Sequence, residues 1–255
     1  MGIRENVKRY KPALIGIIYM IYFYIFVTIT YKNNWLISLK DITLSNVGKI
    51  VIVDFFSMLI FALAIIIVYR NKLFELGIKK SKLSIILLAI YILAFILNRD
   101  YTVRGIYKAF FYLFIVALPE EVIHRGYIYN SLKKHNKISA IIISGALFGI
   151  MHSILPSIIS ESGLLILLKN MLNELGGGIL SGVIFILYLE KSGSIFVPIL
   201  IHALLDYNYS ILGLVVAIAV LVYLFITDKR NKEESKETNK HLFKEKNLFE
   251  DNSQN

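Results

Sequence analysis

Four ionisable side chains lie within or beside apolar stretches of this 255-residue sequence: Glu120, His152, His202 and Asp206. Ionisable groups at membrane depth are costly, and they usually face a bundle interior or a water-filled cavity where they serve a function. Carboxylates and imidazoles transfer protons at reacting centres and bind cations. The residue types therefore predict proton-transfer chemistry or a cation site, provided that the chain brings these side chains together.

The residues after Pro119 divide into two helix faces. Glu121 and Arg125 are four positions apart with the acid on the N-terminal side, a spacing that favours an ion pair. Glu120 is rotated by about 100° from Glu121 in an α-helix, so it points elsewhere and stays available for chemistry. If this helix is considered alone, a reasonable alternative is that all these polar residues lie among the lipid headgroups.

The two histidines differ in how strongly they indicate a site. His152 shares a helix face with Phe148, and a lone histidine on an apolar helix is more often structural than catalytic. His202 and Asp206 are four residues apart in a stretch, Ile195 to Leu205, that is otherwise nearly all apolar. A carboxylate one turn from an imidazole can orient the ring or join it in binding a polar group, so this pair is the stronger indication.

The depth of these residues in their helices is similar. Counted from the basic residues at the end of each helix at about 1.5 Å per residue, Glu120 lies about 18 Å deep, His152 about 22 Å and His202 about 16 Å. The three depths agree to within about one helical turn. We therefore expect the three side chains to converge on a water-filled cavity among the fourth, fifth and seventh helices.

Apolar runs define the elements that must position these residues. Apolar residues make up 56% of the chain, above the 45–50% expected of a soluble domain, and the first and last runs lack the polar face of a surface helix. The sequence predicts an all-α, polytopic transmembrane bundle of about eight helices rather than a soluble helical protein. The eight runs are Leu14–Tyr31, Ile50–Tyr69, Leu83–Leu97, Ile106–Leu118, Ile138–Met151, Leu175–Leu189, Ser194–Ile201 and Ile211–Thr227.

Lysine and arginine residues are concentrated in loops that alternate along the chain. Sets of them precede the first run and follow the second and the fourth, whereas the intervening loops carry three or fewer. An excess of these residues marks the cytoplasmic side, so we expect a multi-pass protein of the cell membrane with both termini in the cytoplasm. The loops account for the net charge of +10, which therefore does not indicate a nucleic-acid partner.

The segment 228–255 differs in composition from the rest of the chain. It contains seven basic and seven acidic residues and no apolar period. This composition predicts a disordered cytoplasmic extension. The predicted organisation is thus a transmembrane bundle over 1–227 and a charged tail over 228–255.

Three short motifs follow one another between 106 and 209. Pro119 to Gly126 contains Glu-Glu-x-x-x-Arg, Phe148 to His152 forms Phe-x-x-x-His, and His202 to Asp206 forms His-x-x-x-Asp. In order and spacing they resemble the motifs of the CAAX prenyl endopeptidase and bacteriocin-processing (CPBP) family of membrane proteases, also called the Abi family. Between the second and third motifs, glycines 176–178 and 182 are assigned to close helix packing.

The resemblance implies an intramembrane endopeptidase with its catalytic core over 106–209. It implies that Glu120 and His152 activate a water for attack on a peptide carbonyl, and that His202 and Asp206 stabilise the oxyanion. It places supporting residues at Glu121, Arg125 and Phe148. Asp206 departs from the asparagine common in the family; since an ionised aspartate would repel an oxyanion, it would have to be protonated, orient His202 or bind a metal.

The resemblance leaves the cofactor open. Glu120, His152 and His202 together match a catalytic zinc set, with a fourth position for water. No His-x-x-x-His spacing of a preformed helical site occurs, which favours a glutamate-activated water without tightly bound zinc. His-Glu-x-x-His and Gly-x-Ser-x-Gly are also missing, and the absence of cysteine excludes a cysteine nucleophile and thiolate ligands.

The predicted endopeptidase would act on a peptide or membrane-associated peptide in the lipid bilayer. Two other classes of function remain as alternatives. One is a non-catalytic bacteriocin-immunity or membrane scaffold protein, in which the same residues could persist. The other is a proton or cation transporter; it is disfavoured because the sequence contains no second copy of the Glu-Glu or His-x-x-x-Asp pattern of the kind an internal repeat would give.

Overall fold

The computed structural model describes residues 3–207 and 211–252, with side chains over 9–207 and 211–234. Within these ranges the regular elements are helical, which confirms the predicted all-α bundle of about eight helices. The helices are α1 Ile3–Lys32, α2 Val47–Val68, α3 Lys82–Asn98, α4 over 103–132, α5 Lys137–Ile159, α6 Leu164–Ser192, α7 Phe196–Tyr207 and α8 Ile211–Asn252. Short 3₁₀ turns lie at Leu39–Asp41 and Leu73–Leu76.

Five of the described helices are long and apolar enough to cross a membrane, namely α1, α2, α5, α6 and the first part of α8. Helices α3 and α7 are apolar but shorter, with 17 and 12 residues. A spanning helix needs about 20 mostly apolar residues. The shorter helices and the polar α4 are therefore supported inside the membrane by their neighbours, as expected of a polytopic bundle.

Helix α4 departs from regular α-geometry around the Glu-Glu motif. Two π-helical segments, Phe111–Ala117 and Val122–Tyr129, flank the four α-helical residues Leu118–Glu121. Pro119 cannot donate an intrahelical hydrogen bond, and local π-turns are one way in which membrane helices accommodate a proline. Single π-turns often occur at functional sites, and here they bracket Glu120.

Prolines and glycines also fix where α5 and α7 place their histidines. Pro156 cannot donate to the carbonyl of His152, and α5 is interrupted at Ser153, so His152 ends the regular first part of the helix. Helix α6 ends at Ser192, and the next residue, Gly193, has a left-handed φ of 67°, which favours glycine. The next residues turn back into α7, where the Ile195 backbone N–H donates to the Gly77 carbonyl at 2.8 Å.

Helices α5 and α6 pack closely through glycines. A Cβ on Gly178 or Gly149 would collide with the opposite backbone, and one on Gly182 would lie 3.0 Å from the Gly145 Cα. The predicted packing role is therefore correct for Gly178 and Gly182. It is wrong for the pair 176–177, because a Cβ at either position would meet no neighbouring atom within 4 Å. These two glycines border open space instead of a facing helix.

The loops rich in lysine and arginine meet at one end of the bundle, which we call the basic end. Lys134, after α4, donates to Glu75 in the α2–α3 connection at 2.9 Å, and Lys133 lies 3.8 Å from Glu190 near the end of α6. At the opposite end, the Tyr31 hydroxyl donates to Glu161 at 3.2 Å. This arrangement agrees with the alternation of basic loops; the assignment of the basic end to the cytoplasm stays a prediction.

Helix α8 continues through the charged segment to Asn252, whereas the composition led us to expect a disordered tail. Lysine and glutamate are good helix formers. Ion pairs at i,i+4 spacing support the helix after the membrane-spanning part, with Lys232 to Asp228 at 2.9 Å and Lys229 to Glu233 at 3.8 Å. Local charge pairing thus supports the helix over residues 228–233, and the disordered extension over 228–255 stays a prediction.

Candidate active site

The structure brings Glu120, His152, His202 and Asp206 together from three helices. The Glu120 Oε2 atom lies 3.6 Å from His202 Nε2 and 4.0 Å from His152 Nε2. His202 Nε2 in turn lies 3.4 Å from the Asp206 carboxylate. The convergence expected from helix depth is therefore present, with one carboxylate of α4 between the imidazoles of α5 and α7.

Glu120 is held inside the protein rather than among the lipid headgroups. All residues from 119 to 130 are buried, which removes the headgroup alternative for this stretch. The Glu120 carbonyl pairs with His124 Nδ1 at 2.9 Å, whereas its Oε2 atom has no hydrogen-bond partner among the described residues. A buried polar atom without a partner is unusual in a native structure, and this one lies beside two histidine nitrogens.

One carboxylate oxygen of Glu121 makes an ion pair with Arg125 and a hydrogen bond with His202. This oxygen, Oε1, lies 3.2 Å from Arg125 Nη1 and 2.9 Å from His202 Nδ1, and the side chains of Glu121 and Arg125 are 0% and 1% exposed. The i,i+4 spacing predicted the ion pair. It did not predict the bond to His202, because a contact between residues 81 positions apart depends on the packing of α7 against α4.

Aromatic side chains enclose the charged groups. The Phe148 ring lies 4.0 Å from Arg125 Cζ and 4.4 Å from the His152 ring, consistent with the supporting position predicted for Phe148. Phe185 stacks on His202 with ring centroids 5.0 Å apart and planes at 29°, and it also lies 5.1 Å from Arg125 Cζ. Phe185 was not predicted from the sequence, although it follows Gly178 by seven residues on the same face of α6.

A cavity of about 300 Å³ opens beside these residues between α5, α6 and α7. The sequence predicts a cavity among α4, α5 and α7; in this cavity α5 and α7 contribute as predicted, and α6 takes the place of α4 in the wall. Glycines on α5 and α6 leave room for α6 to form one wall, while Glu120 lies behind the two histidines. The lining residues are Phe148, Gly149, His152, Glu174, Gly177, Gly178, Ser181, Phe185, His202, Leu205 and Asp206.

The side chains of the site differ in how far they are exposed to solvent. The side chains of His202 and Glu120 are less than 10% exposed, whereas those of Asp206 and His152 are 29% and 44% exposed. Glu174 is a further exposed carboxylate in the cavity wall, and its role was not predicted from sequence. The signal was present, since Glu174 precedes Gly178 by four residues and so shares its face of α6.

The candidate zinc ligands do not form a metal site in this structure. In the part of the chain described, no group of three or more His, Cys, Asp or Glu side chains is arranged to hold a metal ion. His202 presents Nδ1 to Glu121, and its Nε2 lies between the Glu120 and Asp206 carboxylates. With both nitrogens facing carboxylates, His202 is arranged as a hydrogen-bond donor on either side.

The fold and the site define a polytopic membrane protein with a buried glutamate–histidine centre open to a cavity. Residues 102–208 match the family model of type II CAAX prenyl endopeptidase Rce1-like proteins. Over this part of the chain, the match confirms the family resemblance indicated by the three motifs. No curated protein and no solved structure matches the chain.

Proposed function

We propose that the protein is an intramembrane endopeptidase that hydrolyses a peptide bond with a water activated by Glu120 and His152. The observation that carries the proposal is the buried, unpartnered Oε2 of Glu120, which faces Nε2 of His152 and of His202 at the back of the cavity. The match of residues 102–208 to the family model supports the same class of reaction.

The proposed reaction uses the 4.0 Å gap between Glu120 and His152. This gap is longer than a direct hydrogen bond, and a water beside it can contact both groups. Glu120 accepts a proton as the water oxygen adds to the carbonyl carbon. When the carbon–nitrogen bond breaks, that proton passes to the leaving amine, so the products are a carboxylic acid and an amine.

His202 is proposed to face the oxyanion that forms in this step. Its donor arrangement suits the stabilisation of negative charge in a site shielded from water. Of the three roles considered for Asp206, the 3.4 Å distance to His202 Nε2 favours orientation of the imidazole. Glu121 fixes the other side of the ring through Nδ1, so the two carboxylates hold the imidazole from opposite edges.

The proposed substrate is a peptide segment that reaches the cavity from the bilayer or its surface. The family description names CAAX prenyl endopeptidases, so a prenylated C-terminal peptide is one probe. A bacteriocin or pheromone precursor and a leader peptide are also compatible with a cavity of about 300 Å³.

The test is cleavage of a peptide library by the full-length protein reconstituted in lipid, with and without a chelator. Glu120→Gln and His152→Ala should lower the rate by about 10²–10⁴-fold. The exposed Glu233→Gln is a matched control for Glu120→Gln and should cleave at the wild-type rate. If the chelator abolishes activity, the nucleophile is a zinc-bound water and not a water activated by glutamate alone.

The proposal fails if the wild-type protein cleaves nothing while cells carrying Glu120→Gln keep the phenotype of the wild type. An immunity or scaffold function would then explain the chain, because a binding protein should tolerate this near-isosteric change. Cleavage that is equally fast in Glu120→Gln would reject the assigned base while keeping the peptidase class.

A further inference from the structure

A second cavity lies at the basic end of the bundle, away from the candidate active site. It has a volume of about 590 Å³ and runs between the start of α1, the end of α2 and the end of α4. We call it the basic-end groove. Its lining residues are Arg9, Lys11, Pro12, Ile15, Phe61, Ala64, Ile65, Val68, Tyr69, Tyr127, Ser131, Lys134 and His135.

One wall of the groove is apolar. It is formed by side chains on one side of α1 and α2, among them Ile15, Phe61 and Ala64. Val68, at the end of this wall, is 79% exposed in the protein. An apolar wall that begins at the end of a membrane helix and continues towards the membrane interior is suited to an acyl chain.

The rim of the groove is basic. Arg9, Lys11, Lys134 and His135 contribute to it, and the lining contains no carboxylate. Lys134 donates to Glu75 outside the groove, whereas no carboxylate partner of Arg9 or Lys11 occurs among the side chains that the structure describes. Arg9 Cζ lies 5.3 Å from the Tyr10 ring, a contact that brings no negative countercharge, so Arg9 and Lys11 can still attract an anion from outside the protein.

Two tyrosines join the basic rim to the apolar wall. The rings of Tyr69 and Tyr127 meet edge to face at 5.7 Å. Tyrosine is enriched at the level of the lipid headgroups because it has an apolar body and a polar tip. The order of charge, tyrosine and apolar wall along the groove follows the order of headgroup, interface and acyl chain in a phospholipid.

We propose that the basic-end groove binds an anionic phospholipid. Arg9 and Lys11 contact the phosphate, for which guanidinium and ammonium groups are suited donors, and an acyl chain lies along α1 and α2. Basic pockets between transmembrane helices are a known setting for anionic headgroups. The occupant joins three helices, so its binding stabilises the folded bundle by mass action.

The test compares phosphatidylglycerol with phosphatidylcholine carrying the same acyl chains. Retention of each lipid by the purified full-length protein is measured by native mass spectrometry, and thermal unfolding is measured in detergent with added lipid. We expect tighter retention of phosphatidylglycerol and a higher Tm with it. The double variant Arg9→Gln/Lys11→Gln should weaken retention about 25-fold, at about fivefold per charge near the headgroups.

The double variant Lys79→Gln/Lys80→Gln is the matched control, because it removes two exposed charges at the same end but outside the groove. Equal weakening by both double variants would overturn the proposal in favour of general surface electrostatics. Ala64→Trp fills the apolar wall and should lower lipid retention without a change in charge. If inorganic phosphate alone reproduces the Tm increase, or Ala64→Trp has no effect, the groove is an anion site and not a phospholipid site.

Discussion

Replacing Arg125 with methionine tests how the buried ion pair holds the candidate site together. Arg125 and Glu121 are almost completely buried and lie 3.2 Å apart. No hydrogen-bond partner of Nη1 or Nη2 occurs in the described part of the chain, so the Glu121 carboxylate and the ring faces of Phe148 and Phe185 are the surroundings that compensate the charge.

The expected loss of unfolding free energy in Arg125→Met follows from the burial of the ion pair. Removing one partner of a buried ion pair costs about 3–5 kcal/mol because the other charge is left without compensation. Arg125→Met leaves the Glu121 carboxylate with His202 as its remaining donor, so we expect a value near the lower end. Methionine retains much of the length of arginine and packs well against aromatic rings, which keeps the loss of packing small.

The double variant Glu121→Gln/Arg125→Met separates charge from packing. It leaves neither charge of the pair, and replacement of a complete buried pair is often close to neutral. We therefore expect it to be more stable than either single variant. Unfolding free energies would be measured by titrating sodium dodecyl sulfate into dodecyl maltoside micelles and following the helical circular dichroism signal.

Additivity would refute this reasoning. If the double variant loses the sum of the two single losses, Glu121 and Arg125 are not coupled and the cost lies elsewhere. The control is the exposed pair Lys72–Glu75, whose atoms lie 3.8 Å apart. Lys72→Met should change the unfolding free energy by no more than about 1 kcal/mol.

Three further predictions concern the helix interface, the cavity wall and the basic end. Gly149→Ala should lower the unfolding free energy by about 1–3 kcal/mol because its Cβ would collide with the α6 backbone. The control is Gly176→Ala, which lies in open space and should leave the unfolding free energy unchanged or raise it by up to about 1 kcal/mol. Glu174→Gln should leave stability within about 0.5 kcal/mol of wild type and raise KM for peptides with a lysine near the cleaved bond more than for uncharged peptides. A hydrogen bond from Lys134 lowers the pKa of Glu75. The ionised Glu75 therefore stabilises the fold at neutral pH, and this stabilisation is lost as the pH falls below the ordinary glutamate pKa of about 4.3. Glu75→Gln should remove this part of the pH dependence of the unfolding free energy.

The bundle and the set of site residues could be predicted because each depends on local sequence. Apolar runs are long enough to identify helices, and i,i+4 spacing is enough to pair Glu121 with Arg125. The positions of Glu120, His152 and His202 could be compared because each lies on a helix that ends in a basic loop. These properties do not require knowledge of which helices are neighbours.

The shape of the cavity could not be predicted because it depends on contacts between helices. Glycine predicts close packing in general, but it does not say which glycine meets a facing helix and which borders empty space. Gly178 does the first and Gly176 the second. The same limit explains why Phe185 and Glu174 were missed, since their closeness to His202 follows from how α6 packs beside α7.

The two adjacent glutamates show how one helix turn can combine a structural and a chemical role. Glu121 Oε1 lies between Arg125 and His202, while Oε2 of Glu121, like Oε2 of Glu120, has no hydrogen-bond partner in the described structure. What separates the two carboxylates is their surroundings, because Glu120 Oε2 lies 3.6 Å from Nε2 of His202 and 4.0 Å from Nε2 of His152. The bonds that fix Glu121 also hold His202 in place near Glu120, so the structural glutamate positions a partner of the reactive one.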